Sequence, residues 1–86
     1  MFIHIGENVV IPLKGVIAIM DIDSTNLSED TRQFLKIAEE EGFIKKVNNE
    51  KPKSFILTEI NKKSYVYLSP ISSLTLSKRS GFVDKL

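Results

Sequence analysis

This chain of 86 residues has no cysteine and a single histidine, His4. The first absence removes disulfides and thiolate metal sites as staples, and it is compatible with a reducing compartment. The second leaves a general base or triad nothing to build on but one imidazole. That imidazole alternates with apolar neighbours in Phe2-Ile3-His4-Ile5, the setting of a structural or exposed strand residue. No Gly-x-Ser-x-Gly elbow is present. Glycine is scarce and scattered, at positions 6, 15, 42 and 81, so neither a Walker loop nor a dinucleotide fingerprint exists. The longest apolar stretch, Val16 to Met20, falls far short of the roughly 20 residues of a membrane helix. The N-terminus has no basic region and turns polar at Gly6-Glu7-Asn8, unlike a signal peptide. These absences predict one soluble domain over residues 1–86, in the cytoplasm, not an enzyme, with no cofactor, no small-molecule substrate and no membrane partner.

Asp21-Ile22-Asp23 opens like a calcium loop, but the sixth position is Asn26 and the twelfth is Arg32. The tight turn and the bidentate carboxylate are both lost, so no metal site is expected. These aspartates end a strand and lead into a helix.

Charge is present in both signs but unevenly spread. Residues 1–44 carry three basic and eight acidic side chains, a balance of −5, whereas residues 45–86 carry nine and three, a balance of +6. A protein with one face for an anionic partner shows such polarity, and so do two solvated faces that differ in sign. Size matters too. A domain this small buries only about 60% of the surface of its unfolded chain, which favours association.

Along the chain, Phe2–Ile5 and Asn8–Ile11 read as two strands around a Gly6-Glu7 turn. Pro12-Leu13-Lys14-Gly15 breaks the pattern. Val16–Ile22 and Phe55–Ile60 are apolar on both alternating faces and so demand cover on both sides. Leu27, Thr31, Phe34, Leu35 and Ala38 recur at helical spacing, with Asn26 or Ser28 as cap and Gly42 in the left-handed closing position. Phe43–Val47 is a short strand. Ser54–Ile60 and Ser64–Leu68 form a hairpin across Asn61-Lys62-Lys63. Pro70 after Ser69 signals a short second helix that Gly81 ends. The expected fold is α+β: a small antiparallel or mixed β-sheet of about five strands, a main helix over about 27–41 and a C-terminal helix over about 70–79. One helix covers one face, and no second covering layer is evident. The remaining apolar face therefore predicts a homo-oligomer.

Lys51 and Lys53 flank Pro52 in a polar turn, Lys62 and Lys63 tip the hairpin, and Lys14 precedes a strand. Turn lysines are commonly solubilising, yet a loop with two cations and few acids also suits a phosphodiester backbone. Tyr65 and Tyr67 share one strand face, where they either pack in a core or subunit interface or stack on unpaired bases. Lys78 and Arg79 fall in the last turn of the second helix, a place that suits cations structurally as well as for DNA contact. Glu39-Glu40-Glu41 opposes the dipole of the first helix and reads as a solvated face turned away from polyanions.

Phe2-Ile3-His4-Ile5-Gly6, Pro52-Lys53-Ser54 and Tyr67-Leu68-Ser69-Pro70-Ile71-Ser72-Ser73-Leu74-Thr75-Leu76, followed by Lys78-Arg79, resemble the bacterial extracellular matrix regulators of the RemA/RemB type. The resemblance is closer to the RemB type and runs through nearly the whole chain in the same order. It implies a LytTR-like fold and a DNA-binding transcriptional regulator of biofilm matrix genes. Such regulators act as a ring of identical subunits around which double-stranded DNA wraps. It also implies DNA contacts at Lys14 and in the Lys51/Lys53 loop; Lys78 and Arg79, from their place at the end of the second helix, are further candidates. RemA-type proteins carry adjacent arginines in that loop, so Glu50-Lys51-Pro52-Lys53 is a departure that weakens each contact. The alternative is a scaffold subunit that partners a paralogous matrix regulator without touching DNA.

Overall fold

The structure, a computed structural model, describes residues 1–22 and 27–80. Its elements are β1 (Phe2–Gly6), β2 (Val9–Pro12), a 3-10 turn (Leu13–Gly15), β3 (Val16–Asp21), α1 (Glu29–Glu40), β4 (Ile44–Lys46), β5 (Ser54–Ile60), β6 (Lys63–Ser69) and α2 (Ser73–Ser80). The α+β class is as expected. Among the described residues the strands number six, and they divide into a β1–β2 ribbon and a four-stranded sheet of order β3-β5-β6-β4.

Local rules account for most of these boundaries. At the start of α1, the Ser28 side chain accepts a hydrogen bond from the Thr31 amide at 3.0 Å. It satisfies one of the open donors of the first turn. The rival cap Asn26, the second aspartate of the calcium-like pair at Asp23, and Gly81 lie outside the described residues. At the other end Gly42 adopts φ +83°. Its amide donates to the Glu39 carbonyl at 3.1 Å and the Phe43 amide to the Ala38 carbonyl at 2.8 Å. This pair of bonds is the Schellman closure that a glycine without Cβ permits. Asn61 and Lys62 both have positive φ, at 54° and 67°, the geometry of a two-residue type I′ hairpin turn between β5 and β6.

The second helix departs from expectation, because it begins at Ser73 and not at Pro70. Buried serines hold the intervening residues in a bend instead. The Ser69 hydroxyl donates to the Ile5 carbonyl at 2.6 Å and accepts from the Ile71 amide at 3.0 Å. The Ser54 hydroxyl donates to the Ile71 carbonyl at 2.7 Å. Ser72 then caps the helix by accepting from the Thr75 amide. Pro70 packs its ring beside Gly6, where a Cβ would meet it at 3.2 Å and would meet Val47 Cγ1 at 2.9 Å. The proline thus marks a close approach of two backbones.

The second correction concerns cover. The expected lack of a second layer is wrong, because β1 and β2 do not join the main sheet but lie across it. Ile3, Ile5 and Ile11 of that ribbon, with Leu76 of α2, pack on Ile56 in one core cluster. On the opposite side Ala38 of α1, with Leu35, packs on Phe55 and Val66. Strand β5 is therefore buried on both faces, as its unbroken apolar run demands. Strand β3 is not: Ile17 and Met20 remain exposed. β4 runs parallel to β6, with Ile44 opposite Val66, after the chain crosses over through α1.

Candidate nucleic-acid interface

The basic side chains are placed by the two ends of β5. Lys53 directly precedes it, and its backbone is fastened on both sides. Its amide donates to the Ser69 carbonyl at 2.8 Å, and its carbonyl accepts from the Ile22 amide at 3.1 Å. Upstream, Asn48 accepts from the Glu50 amide and donates its side-chain amide to a Glu50 carboxylate oxygen, both at 3.0 Å. This local turn draws the one acid of the loop toward Asn48. Lys51 and Lys53 are exposed on either side of half-buried Pro52. The segment that carries these two cations is thus fastened at Lys53 and turned locally between Asn48 and Glu50, which restricts its backbone.

Lys14 is also exposed, but at the far end of the sheet. It stands in the 3-10 turn, tied through the Leu13 amide to the Met1 carbonyl at 2.9 Å. The neighbouring Gly15 lies against Ile60, the last residue of β5. The length of that strand separates Lys14 from Lys53 by about 20 Å. At that distance the two side chains do not converge on one point. They are two separate exposed cations at opposite ends of β5.

Arg79 and Lys78 occupy the last turn of α2. Arg79 is committed to the fold: its Nη1 lies 3.2 Å from His4 Nδ1 and 3.1 Å from the His4 carbonyl oxygen. His4 Nε2 lies 2.6 Å from the Glu7 carbonyl oxygen, so Nε2 carries the proton and Nδ1 accepts from the guanidinium. The lone histidine and the terminal arginine together pin α2 to β1. Lys78 is exposed on the same turn.

The fold also assembles a cationic edge that sequence spacing did not single out. Parallel pairing sets Lys45 of β4 opposite Tyr67 of β6, and Lys45 Nζ sits 4.6 Å from the centre of the Tyr65 ring. Lys46 is exposed next to it on β4, while Lys62 and Lys63 are exposed at the β5–β6 turn. The adjacent Lys45-Lys46 pair was visible in the sequence. Its position beside β6 was not, because a parallel crossover leaves no turn signature. Tyr67 packs against the core under the ribbon. One tyrosine is thus in the core and the other lies under a lysine, so the pair presents no open stacking platform for bases.

Acidic side chains collect elsewhere. Glu29 and Asp30 open α1, and Glu39, Glu40 and Glu41 close it, all exposed. Among the described residues no helix is long and apolar enough to cross a membrane.

Residues 2–79 match the family model described as RemA-like, extracellular matrix regulatory protein A-like. The chain is also similar to the extracellular matrix regulatory protein B of Bacillus subtilis (strain 168), with 35% identity over 86 residues, covering 100% of this chain and 98% of that one.

Proposed function

This chain belongs to the RemA-like family of extracellular matrix regulators, and from that premise we propose that it is a DNA-binding regulator of matrix gene transcription. It works without enzymatic chemistry, in the cytoplasm, as a ring of identical subunits that grips double-stranded DNA by its backbone. The observation that carries this reading is the Lys51-Pro52-Lys53 loop, two exposed cations on a segment fastened to β6 and to the end of β3. Lys14 supplies a second contact about 20 Å away. Arg79, bound to His4, serves the fold first.

Lysines are point charges without the bidentate fork of arginine, so each subunit binds weakly and reads phosphates more than bases. Assembly compensates. With about two phosphates neutralised per subunit and four subunits engaged, the logarithm of affinity falls against that of salt with a slope near −7, against roughly −2 for a monomer. Linked sites act at high effective concentration, so the same lysines become useful only in the assembled state.

The test is a polarisation titration on duplex DNA from 50 to 300 mM salt, on the order of the range where counterion release dominates. Wild type is expected to show the steep slope, and Lys51→Ala/Lys53→Ala to lose most of the affinity and most of the slope while keeping its melting temperature. Binding that ignores salt, or a double variant that binds like wild type, refutes the DNA reading. That result would favour a scaffold subunit that joins a paralogous matrix regulator, a reading supported by lysines in place of arginines and by Glu50 in the same loop.

A further inference from the structure

Burial leaves two apolar surfaces on opposite layers of the molecule. The first is a groove of about 360 Å³ between α1 and the main sheet, floored by Leu57 and Val66 and walled by Ile17, Phe34, Ile37 and Phe43. Its walls are well exposed: Ile17 by 62%, Phe34 by 44% and Ile37 by 47%. The groove has two local causes. A register shift between Val16 and Ala18 turns Ile17 out of the β3–β5 ladder. On α1, Ala38 is the one fully buried residue, so the helix turns inward along a narrow line and leaves Phe34 and Ile37 beside it. Asp30, Phe34, Ile37 and Glu41 follow at i, i+4, i+7 and i+11, which sets an acid at each end of this apolar stripe.

The second surface is the outer face of the β1–β2 ribbon, the side away from Ile3, Ile5 and Ile11. Phe2 and Val10 stand there, exposed by 67% and 56%. Its charge is the reverse of that at the two ends of the groove's α1 wall. Arg79 lies over His4 between them, and Lys14 borders the depression that Phe2 shares with Met1 and Leu13. The one acid of the ribbon, Glu7, is at the turn end.

We propose that these surfaces are the two halves of one seam between copies of this chain, with the Phe2/Val10 face of one subunit seated in the α1 groove of the next. The inference rests on the ring reading above and deepens it by naming the contact. A ring of identical subunits needs two different, mutually complementary patches on each, because an isologous contact stops at a dimer. Here one patch is a groove and the other a ridge, with Asp30 and Glu41 at the ends of the groove's α1 wall and Lys14 and Arg79 beside the ridge. Exposed apolar patches rimmed by charge are what such contacts use. The Lys51/Lys53 loop belongs to neither surface, so the seam leaves it at the rim of the assembly. Lys14, at the border of the ridge, is then shared between the seam and the DNA contact.

Light scattering on the full chain tests this with two variants, each spoiling one half: Ile37→Glu in the groove and Phe2→Glu on the ridge. Each alone is expected to run as a monomer with an unchanged circular dichroism spectrum. An equimolar mixture is expected to form a one-to-one dimer and to stop there, doubling the mass, because it holds one intact groove and one intact ridge. Phe34→Glu and Val10→Glu repeat the experiment should either first variant lose its fold. If wild type assembles and the variants assemble equally well, or the mixture stays monomeric, the seam is wrong and the ring reading survives. A wild type that is monomeric at every concentration overturns both.

Discussion

The two faces of the main sheet are built to different standards. Under the β1–β2 ribbon, five side chains from four separate elements are almost completely buried, and serine hydroxyls from β5 and β6 lock the cover in place. The Ser69–Ile5 bond joins residues 64 positions apart. Beneath α1 the buried set is smaller, and its cover is a single helix held by its caps and by Leu35 and Ala38. One face is sealed and the other is left partly open, under a helix with acids at both ends. A domain of this size cannot seal every face. Its folding stability is concentrated on the ribbon side, and the helix side is available for a partner.

Two pairs of substitutions test that contrast, and a fifth probes the turn outside it, from the largest effect to the smallest. Ile56→Ala, on the sealed face, is expected to cost about 3–5 kcal/mol in urea unfolding, and Leu35→Ala, on the open face, about 2 kcal/mol or less, because a partly exposed site collapses or hydrates more easily. Equal losses would erase the distinction. Ser69→Ala should cost about 1–3 kcal/mol, since it strands the buried Ile5 carbonyl and the Ile71 amide together. Its counterpart on the helix side, Ser28→Ala, should cost about 1 kcal/mol, the usual value of one exposed cap. A Ser69→Ala variant no less stable than Ser28→Ala would mean that the ribbon is held by its isoleucines alone. Lys62→Gly belongs to neither face and is expected to stabilise by a few tenths of a kcal/mol, about the difference between the left-handed strain it relieves and the chain entropy it adds. A loss of melting temperature there would show that the lysine stem contributes to the turn.

The legible parts of the fold are those governed by near neighbours. The α1 pattern ending in Gly42, the hairpin between β5 and β6, and the two-sided burial of β5 all follow from spacing within a dozen residues. The start of α2 is not legible, because Pro70 is a good first helical residue by local rules, whereas Ser54 and Ser69 claim the backbone of Ile71. The candidate site shows the same division. Lys51, Lys53 and Lys14 stand out as turn cations in the chain, but their separation by the length of β5 does not. Neither does the placing of Lys45 over Tyr65, which depends on a parallel strand reached through a helix.

Composition, periodicity and capping residues were enough to establish the α+β class, the position of the main helix and the segregation of charge between the two halves of the chain. They operate through hydrogen bonds and side-chain contacts a few residues apart, so the sequence carries them whole. The tertiary structure alone decided that the first two strands lie across the sheet as a second layer, that Arg79 is held by His4, and that Phe34 and Ile37 are left in an open groove. Those outcomes turn on which elements meet across long loops. Many packings bury similar apolar area there, and buried groups such as Ser69 and Ile5 select the one in which every described buried side-chain polar atom finds a partner.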